Sequence, residues 1–285
     1  MIATGVAGTP SSAAAAAVPP ARENVPALPG DHRLALPVRF GAARACARLA
    51  AMAAVTAGCA ARVTVCGSLA RHTTPVAARH CRDWARRLNA LLGVRVAVYG
   101  TPPHDPCLLV ANHRSYIDIT VLGAQQPSVF VAKSELAGWP LLGRAARLGA
   151  TIFVRREDER SRRETRAAIA AVLRAGVAVV NFAEGTTSRA PALRPLRPGG
   201  FKLAAEMGLP VVPVAVEYDD PEDAWVGDDT FARHFLAQFA KPEVRATVSY
   251  GPRLAGNDPD ELRRATERWL RGELARLGGT GGGRG

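Results

Sequence analysis

His113 and Asp118 are the side chains of this sequence whose types and spacing best suit chemistry. They lie in the segment Asn112–Asp118, directly after the short apolar run Leu108–Ala111, which predicts a buried strand. Because five residues separate them, they can meet only if His113 lies in the turn and Asp118 in the first turn of a following helix. The carboxylate would then hold the proton of one imidazole nitrogen and leave the other nitrogen free as a general base. That arrangement suits removal of a proton from a hydroxyl group.

The same pair has a structural interpretation. A single histidine bonded to a carboxylate is more often a structural hydrogen bond than a catalytic pair, because structural ion pairs bring the same side chains together. The segment alone therefore leaves both interpretations open, and other parts of the chain have to decide between them.

An arginine follows the predicted strand Ala150–Val154. Arg155 would lie at a strand end beside the His113 loop, where a guanidinium group can hold a phosphate through two parallel hydrogen bonds. By itself, an arginine at this position is more often a solvated surface residue.

A polar turn follows the predicted strand Val177–Phe182. Gly185 lets the backbone approach an anion closely, and the Thr186 hydroxyl and main-chain amides could bind a phosphate group. Glu184 either fixes this loop or binds a substrate hydroxyl. As an isolated motif the turn is weak, because many turns have this composition.

Strand and helix patterns alternate from Val94 onward, which predicts an α/β fold with a mixed central sheet flanked by helices. The predicted strands are Val94–Tyr99, Cys107–Ala111, Ser128–Ala132, Ala150–Val154, Val177–Phe182 and Pro210–Val216, with Val244–Tyr250 as an edge strand. The predicted helices are Ser115–Gly123, Ser134–Leu148, Asp158–Ala175, Gly199–Met207 and Pro259–Leu277. The predicted domains are a disordered tail (1–32), a membrane-associated helical segment (33–92), a catalytic domain (93–256), and a C-terminal helix with a glycine-rich tail (257–285).

The composition restricts the partners of the chain. Its net charge of +12 comes almost entirely from arginine and implies an anionic partner. Nucleic acid is disfavoured, because zinc-ligand spacing is absent and few aromatic residues lie among the basic ones. We expect no metal, since the acidic run Asp219–Asp229 lacks calcium-loop spacing and is typical of a solvated loop. Five cysteines without a CxxC motif predict reduced thiols and a cytosolic environment.

Two predicted helices precede the α/β region, within residues 35–70 and 76–92. In the first, Arg44, Arg48 and Arg62 form a basic stripe, and the opposite stripe is apolar: Leu49, Met52, Thr56, Cys59 and Val63. This pattern favours two amphipathic helices that dock on a membrane, with the arginines reaching toward lipid phosphates. A helix packed on the domain and a weak membrane-spanning helix are the alternatives, although the charge-free run of residues 49–61 is short for spanning.

Four segments in order resemble the glycerolipid acyltransferase superfamily, typified by 1-acylglycerol-3-phosphate acyltransferases. The family motif NHxxxxD is matched by Asn112–Asp118, and a strand that ends in arginine is matched by Gly149–Arg155. The motif FPEGTRS is matched by Phe182–Ser188, with Ala183 in place of proline and Thr187 in place of arginine. A Val-Pro-Val strand is matched by Val212–Val214.

The resemblance implies an O-acyltransferase with a glycerol-3-phosphate acyltransferase-like fold, in which an acceptor hydroxyl attacks an acyl thioester directly. His113 would be the base and Asp118 its orienting partner. The implied substrate-binding residues are Arg155, Glu184, Gly185, Thr186 and Lys133, the last of which begins a Lys-Ser-Glu-Leu segment similar to one of the family. No cofactor is implied beyond the co-substrate, acyl-ACP (acyl carrier protein) or acyl-CoA.

The implied acceptor is a lyso-glycerolipid, with 1-acyl-sn-glycerol-3-phosphate, which yields phosphatidic acid, ranked first. Lyso-ornithine lipid or a lysophospholipid is the alternative, and a non-catalytic membrane-binding relative is another. The implied location is the cytoplasmic face of the bacterial inner membrane. Because Thr187 is neutral where the phosphatidic-acid-forming branch has arginine, we expect acceptors other than lysophosphatidic acid to be tolerated.

Overall fold

Seven strands form one mixed sheet in the order β1-β7-β6-β2-β5-β3-β4. Their bounds are β1 Val94–Tyr99, β2 Leu108–Ala111, β3 Ser128–Lys133, β4 Ile152–Val154, β5 Ala178–Phe182, β6 Val211–Tyr218 and β7 Val244–Tyr250. All neighbouring strands are parallel except β6 and β7, which confirms the predicted mixed α/β class. The computed structural model describes residues 38–69, 73–138, 143, 146–147, 149–155, 157–227 and 230–279, so the two predicted tails lie outside the described residues.

The strands are bounded almost as the apolar runs predict, but the position of β7 differs. Val244–Tyr250 was expected at the edge of the sheet, and that expectation is wrong, because β7 lies between β1 and β6. Its antiparallel register with β6 pairs Val214 with Tyr250, and its parallel register with β1 pairs Val94 with Val244. The edge strands are β1 and β4.

The described helices cover both faces of the sheet. Their bounds are α1 Val38–Leu69, α2 Thr73–Leu92, α3 Asp118–Gly123, α4 Glu159–Arg174, α5 Gly199–Met207, α6 Phe231–Ala240 and α7 Pro259–Gly279. Successive strand residues point to opposite faces, so Leu108 and Val110 enter one core with α4, α5 and α7. Leu109 and Ala111 enter the other core, with α3. The segment predicted as helix Ser134–Leu148 begins as the 3₁₀ helix Ser134–Gly138, and most of its remainder lies outside the described residues.

Helix α1 packs on the domain through residues that were expected to face lipid. The Arg44 Nη1 atom donates to the Ala240 carbonyl at 3.1 Å, and Arg48 donates to the carbonyls of Phe239 at 3.2 Å and Pro242 at 3.1 Å. The expectation that these two arginines reach toward lipid phosphates is therefore wrong. The last carbonyls of α6 lack intrahelical partners and carry partial negative charge, so they attract both guanidinium groups.

The apolar stripe of α1 faces α2. Met52 and Thr56 are buried, and the Trp84 indole N–H donates to the Thr56 hydroxyl at 3.1 Å. The opposite side of α1 is exposed and carries mostly small residues (Ala50, Ala53, Ala54, Ala57, Gly58 and Ala61), together with Arg62 and Val65. By length and composition Gly41–Gly67 could cross a membrane, and 22% of its most apolar stretch is buried. That property alone is weak evidence, because core helices of soluble proteins can share it.

Candidate active site

His113 and Asp118 meet at the carboxyl end of β2, as their spacing predicts. Asp118 is the first residue of α3, and His113 lies in the preceding turn. The His113 Nδ1 atom lies 2.7 Å from Asp118 Oδ2. Asp118 is fully buried and the His113 side chain is 20% exposed. Since a carboxylate only accepts hydrogen bonds, Nδ1 carries a proton, and in the neutral form of the ring Nε2 is the nitrogen that can act as a base.

The imidazole ring is held on its face as well as at Nδ1. Phe182, the last residue of β5, stacks on His113 with ring centroids 4.0 Å apart and 16° between the planes. Within the described part of the chain, no residue bonds to Nε2. The ring is therefore fixed with one partly exposed nitrogen available to a substrate.

Asp118 accepts further hydrogen bonds that the sequence did not predict. Its Oδ2 atom also accepts from the main-chain N–H groups of Arg114 at 2.7 Å and Ser115 at 3.0 Å. Its Oδ1 atom accepts from the Tyr218 hydroxyl at 2.6 Å. Burial, followed by the charge of Asp118, raises the pKa of Tyr218 well above its usual value, so this hydroxyl keeps its proton and donates.

Arg114 lies between His113 and Asp118 in the sequence, and its side chain is fully buried. Its guanidinium donates to Glu217 Oε2 at 3.0 Å, to the Ser188 hydroxyl at 3.0 Å and to the Ala192 carbonyl at 2.8 Å. Burial raises the pKa of Glu217, and the guanidinium opposes that rise. Arg114 thus joins the loop after β2 to β6 and to the loop after β5, and it is a structural cation rather than a surface one.

Glu184 is a second buried carboxylate, and it bridges the two loops. Its Oε1 atom accepts from the His113 main-chain N–H at 2.8 Å. Its Oε2 atom accepts from the Ser188 hydroxyl at 2.9 Å and from the Arg194 main-chain N–H at 2.8 Å. Of the two roles expected for Glu184, the structure therefore displays loop fixation. Gly185 follows with φ of +84°, a left-handed conformation that favours glycine.

Arg155 and Lys133 lie at the same edge of the sheet as His113, because their strands are parallel to β2. They are close to each other, since Lys133 pairs in register with Val154. β4 is three strands away from β2, which corresponds to about 14 Å. The Arg155 side chain is 69% exposed and lies 3.6 Å from Asp158. The structure thus places both cations around the site without contact with the His–Asp pair.

The turn after Gly185 is open to solvent. Thr186 is exposed and Thr187 is half-buried. Arg189, which could have supplied a positive charge in place of the family arginine, forms an ion pair with Glu222 at 3.1 Å. Arg189 therefore adds no unpaired positive charge near Thr187.

An aromatic cluster packs beside the loop of His113. Tyr116 contacts Trp225, Phe231 and Phe235, and its hydroxyl lies 3.0 Å from His234 Nδ1. Helix α6 was not predicted, although the spacing of Phe231, Phe235 and Phe239 is typical of one helix face. The expectation of a solvated loop before this helix is wrong at Asp223, which is 1% exposed and bonded to Lys241.

Known proteins with similar sequences show the family to which the chain belongs. Residues 95–217 match the family model described as Acyltransferase. The chain is 37% identical over 194 residues to the lyso-ornithine lipid O-acyltransferase of Pseudomonas aeruginosa, covering 66% of this chain and 75% of that protein. The chain belongs to the glycerolipid acyltransferase superfamily. It is accordingly an O-acyltransferase.

Other members of the superfamily differ in acceptor. The chain is 34% identical over 140 residues to the 1-acyl-sn-glycerol-3-phosphate acyltransferase of Neisseria meningitidis, covering 48% of this chain and 55% of that protein. The crystal structure of the 1-acyl-sn-glycerophosphate acyltransferase of Thermotoga maritima shares the fold, with a TM-score of 0.60 and 19% identity. That match covers 82% of this chain and 97% of the other.

The segments that resemble the superfamily motifs lie on four strands of the same sheet. They follow or form β2, β4, β5 and β6, and all four strands run parallel. Because parallel strands place their carboxyl ends at one edge, residues far apart in the sequence, such as Asn112 and Thr186 at 74 positions, gather there. This edge is the candidate active site.

Proposed function

We propose that this acyltransferase moves an acyl group from a thioester to the free hydroxyl of a lysolipid, with His113 as the general base. One observation carries the proposal: the imidazole is fixed at Nδ1 by a fully buried carboxylate, and none of the residues that the structure describes bonds to Nε2 at the edge of the sheet. A base needs this combination of a fixed tautomer and an accessible nitrogen.

In the proposed reaction, the acceptor hydroxyl gives its proton to His113 Nε2 while its oxygen attacks the thioester carbonyl. The carbon–sulfur bond then breaks, and the thiol leaves with the proton returned by the imidazolium. Between these two proton transfers His113 is an imidazolium, and Asp118 stabilises it by accepting a hydrogen bond from Nδ1. The thiol belongs to acyl carrier protein or CoA, and either anionic carrier suits a chain of net charge +12.

Among acceptors we now rank lyso-ornithine lipid ahead of lysophosphatidic acid. The Pseudomonas relative matches more of this chain than the Neisseria relative does. In addition, Thr187 is neutral and Arg189 is paired with Glu222, so this turn offers little charge to a phosphate monoester. An ornithine head group carries one carboxylate and one ammonium group, and it needs less positive charge than a phosphate monoester with nearly two negative charges.

The proposal is tested by comparing acceptors in the purified full-length protein, with acyl-ACP and acyl-CoA as donors. We expect kcat/KM for lyso-ornithine lipid to exceed that for lysophosphatidic acid. Thr187→Arg should shift the ratio toward lysophosphatidic acid by about tenfold, the effect of one added charge-assisted hydrogen bond. Thr187→Val is the matched control, because it removes the hydroxyl and adds no charge. A ratio that Thr187→Arg leaves unchanged would show that this position does not distinguish head groups.

We further propose that α1 associates with the cytoplasmic face of the bacterial inner membrane through its exposed small-residue side. The buried side of α1 is already occupied by α2 and α6, which supports contact through the remaining side. Membrane fractions washed with high salt and then with carbonate test this arrangement. Retention in salt with partial release in carbonate is expected for a peripheral helix, whereas a fully soluble protein would contradict membrane association.

A further inference from the structure

Three consecutive residues at the carboxyl end of β6 each bind one residue of the catalytic loop. The Val216 main chain exchanges two hydrogen bonds with the Asn112 side chain, at 2.8 and 2.7 Å. Glu217 binds Arg114, and Tyr218 binds Asp118. Because β6 lies beside β2 in parallel register, with Val214 opposite Ala111, this strand end is a rigid support for the loop.

The contact of Tyr218 differs from the other two, because it acts on a member of the proposed catalytic pair. Asp118 Oδ2 is held by the histidine and two main-chain N–H groups, whereas the hydroxyl of Tyr218 is the donor to Oδ1. Without that donor, Oδ1 of this fully buried carboxylate would receive no hydrogen bond from the residues that the structure describes, and the carboxylate could rotate about its last torsion.

We propose that Tyr218 is a positioning residue of this acyltransferase: its hydroxyl orients Asp118 and sets the basicity of His113. The proposal rests on the proposed function, since Tyr218 acts only through the His–Asp pair. Tyr218 is 6% exposed and lies behind the carboxylate, so it does not touch the reacting groups.

The expected effect on pH dependence follows from charge. A hydrogen bond from Tyr218 draws negative charge from the carboxylate and weakens its attraction for the imidazolium. Removal of the hydroxyl therefore raises the pH at which His113 loses its proton. Because the lost hydrogen bond is one to a charged group that itself contacts the imidazole, we expect the acid limb of the kcat/KM profile to move upward by about 0.5–1 unit.

Other ionisable groups face this region and remain unchanged in the test. Glu184 contacts the main chain of His113, Glu217 is paired with Arg114, and Asp223 is bonded to Lys241. Asp223 and Tyr116 also interact electrostatically with Tyr218. His234 lies beyond Tyr116, at 3.0 Å from its hydroxyl. A shift seen on removal of one neutral hydroxyl would therefore come from its contact with Asp118.

The test compares Tyr218→Phe with Tyr250→Phe in the full-length protein. Tyr250 is a matched control, because it lies on the neighbouring strand β7 and is 7% exposed. Among the described residues, no side chain or main-chain group bonds to its hydroxyl. We expect Tyr218→Phe to lower kcat by about 10–100-fold with KM unchanged and to move the acid limb upward, while Tyr250→Phe leaves the profile in place. Titration of the His113 ring, followed by NMR, should show the same upward shift.

Measurement of His113→Ala in parallel separates two kinds of failure. If His113→Ala abolishes transfer and Tyr218→Phe behaves as Tyr250→Phe does, the positioning role is wrong while the proposed function stands. If His113→Ala retains activity, both are wrong. If the two phenylalanine variants lose stability equally but only Tyr218→Phe shifts the pH profile and the histidine titration, the positioning role is supported.

Discussion

Glu184→Gln is the substitution for which the structure predicts the clearest physical conflict. The wild-type carboxylate receives three donors, one at Oε1 from His113 and two at Oε2 from Ser188 and Arg194. Glutamine has the same shape but replaces one acceptor oxygen with an NH2 donor. If the NH2 group occupies the Oε1 position, it faces the His113 N–H. If it occupies the Oε2 position, it faces the Arg194 N–H and the Ser188 hydroxyl, so in either orientation the NH2 group points at another donor.

Each orientation leaves a partly buried main-chain N–H facing a donor instead of the buried Glu184 carboxylate, which costs about 1–3 kcal/mol in the free energy of unfolding. The loop that carries His113 should loosen as well, and kcat should fall by about tenfold or more. Urea unfolding and acyl transfer are measured beside Glu222→Gln, whose side chain is 73% exposed in a surface ion pair and should change stability by less than about 1 kcal/mol. Equal stability of the two variants, with activity near wild type, would refute the bridging role of Glu184.

Two further predictions concern arginines outside the catalytic loop. Arg48→Ala should lower the free energy of unfolding by about 1–3 kcal/mol, because it removes the hydrogen bonds from a charged donor to the carbonyls of Phe239 and Pro242, whereas Arg62→Ala, at an exposed position, should have little effect. Urea unfolding in detergent measures both, and equal curves would contradict the capping role. Arg155→Ala should raise KM for an anionic acceptor about tenfold without loss of stability, because its side chain is 69% exposed. Arg160→Ala, 81% exposed on α4, is the steady-state kinetic control, and an unchanged KM for Arg155→Ala would exclude a head-group role.

Much of the strand pattern could be predicted because buried parallel strands are continuous apolar runs. The predicted strands Val94–Tyr99 and Val244–Tyr250 agree with the structure to the residue. The apolar pattern within each strand does not indicate, however, which strands are neighbours. The position of β7 inside the sheet depends on pairing between segments about 30 and 150 residues apart, and local periodicity cannot report such pairing.

The His–Asp pair could be predicted because it is local: a strand end and a helix start bring residues five apart together. Tyr218 could not, since it lies 100 residues from Asp118 and its role depends on the register of β6 against β2. Arg114 was likewise indistinguishable from the many surface arginines, because burial of an arginine depends on partners such as Glu217 that fold in from elsewhere. The contacts of Arg44 and Arg48 with the end of α6 could not be predicted for the same reason, because their partners also lie far away in the sequence.

The most direct test of the central claim is acyl transfer by His113→Ala in the purified full-length protein. Loss of a positioned general base should lower kcat/KM for the preferred lysolipid by about 10²–10⁴, or about 3–5 kcal/mol of barrier. The circular dichroism spectrum and the melting temperature should stay close to those of wild type, because the ring lies at a partly exposed strand end. Activity within about threefold of wild type in a folded variant would contradict the assignment of His113 as the base.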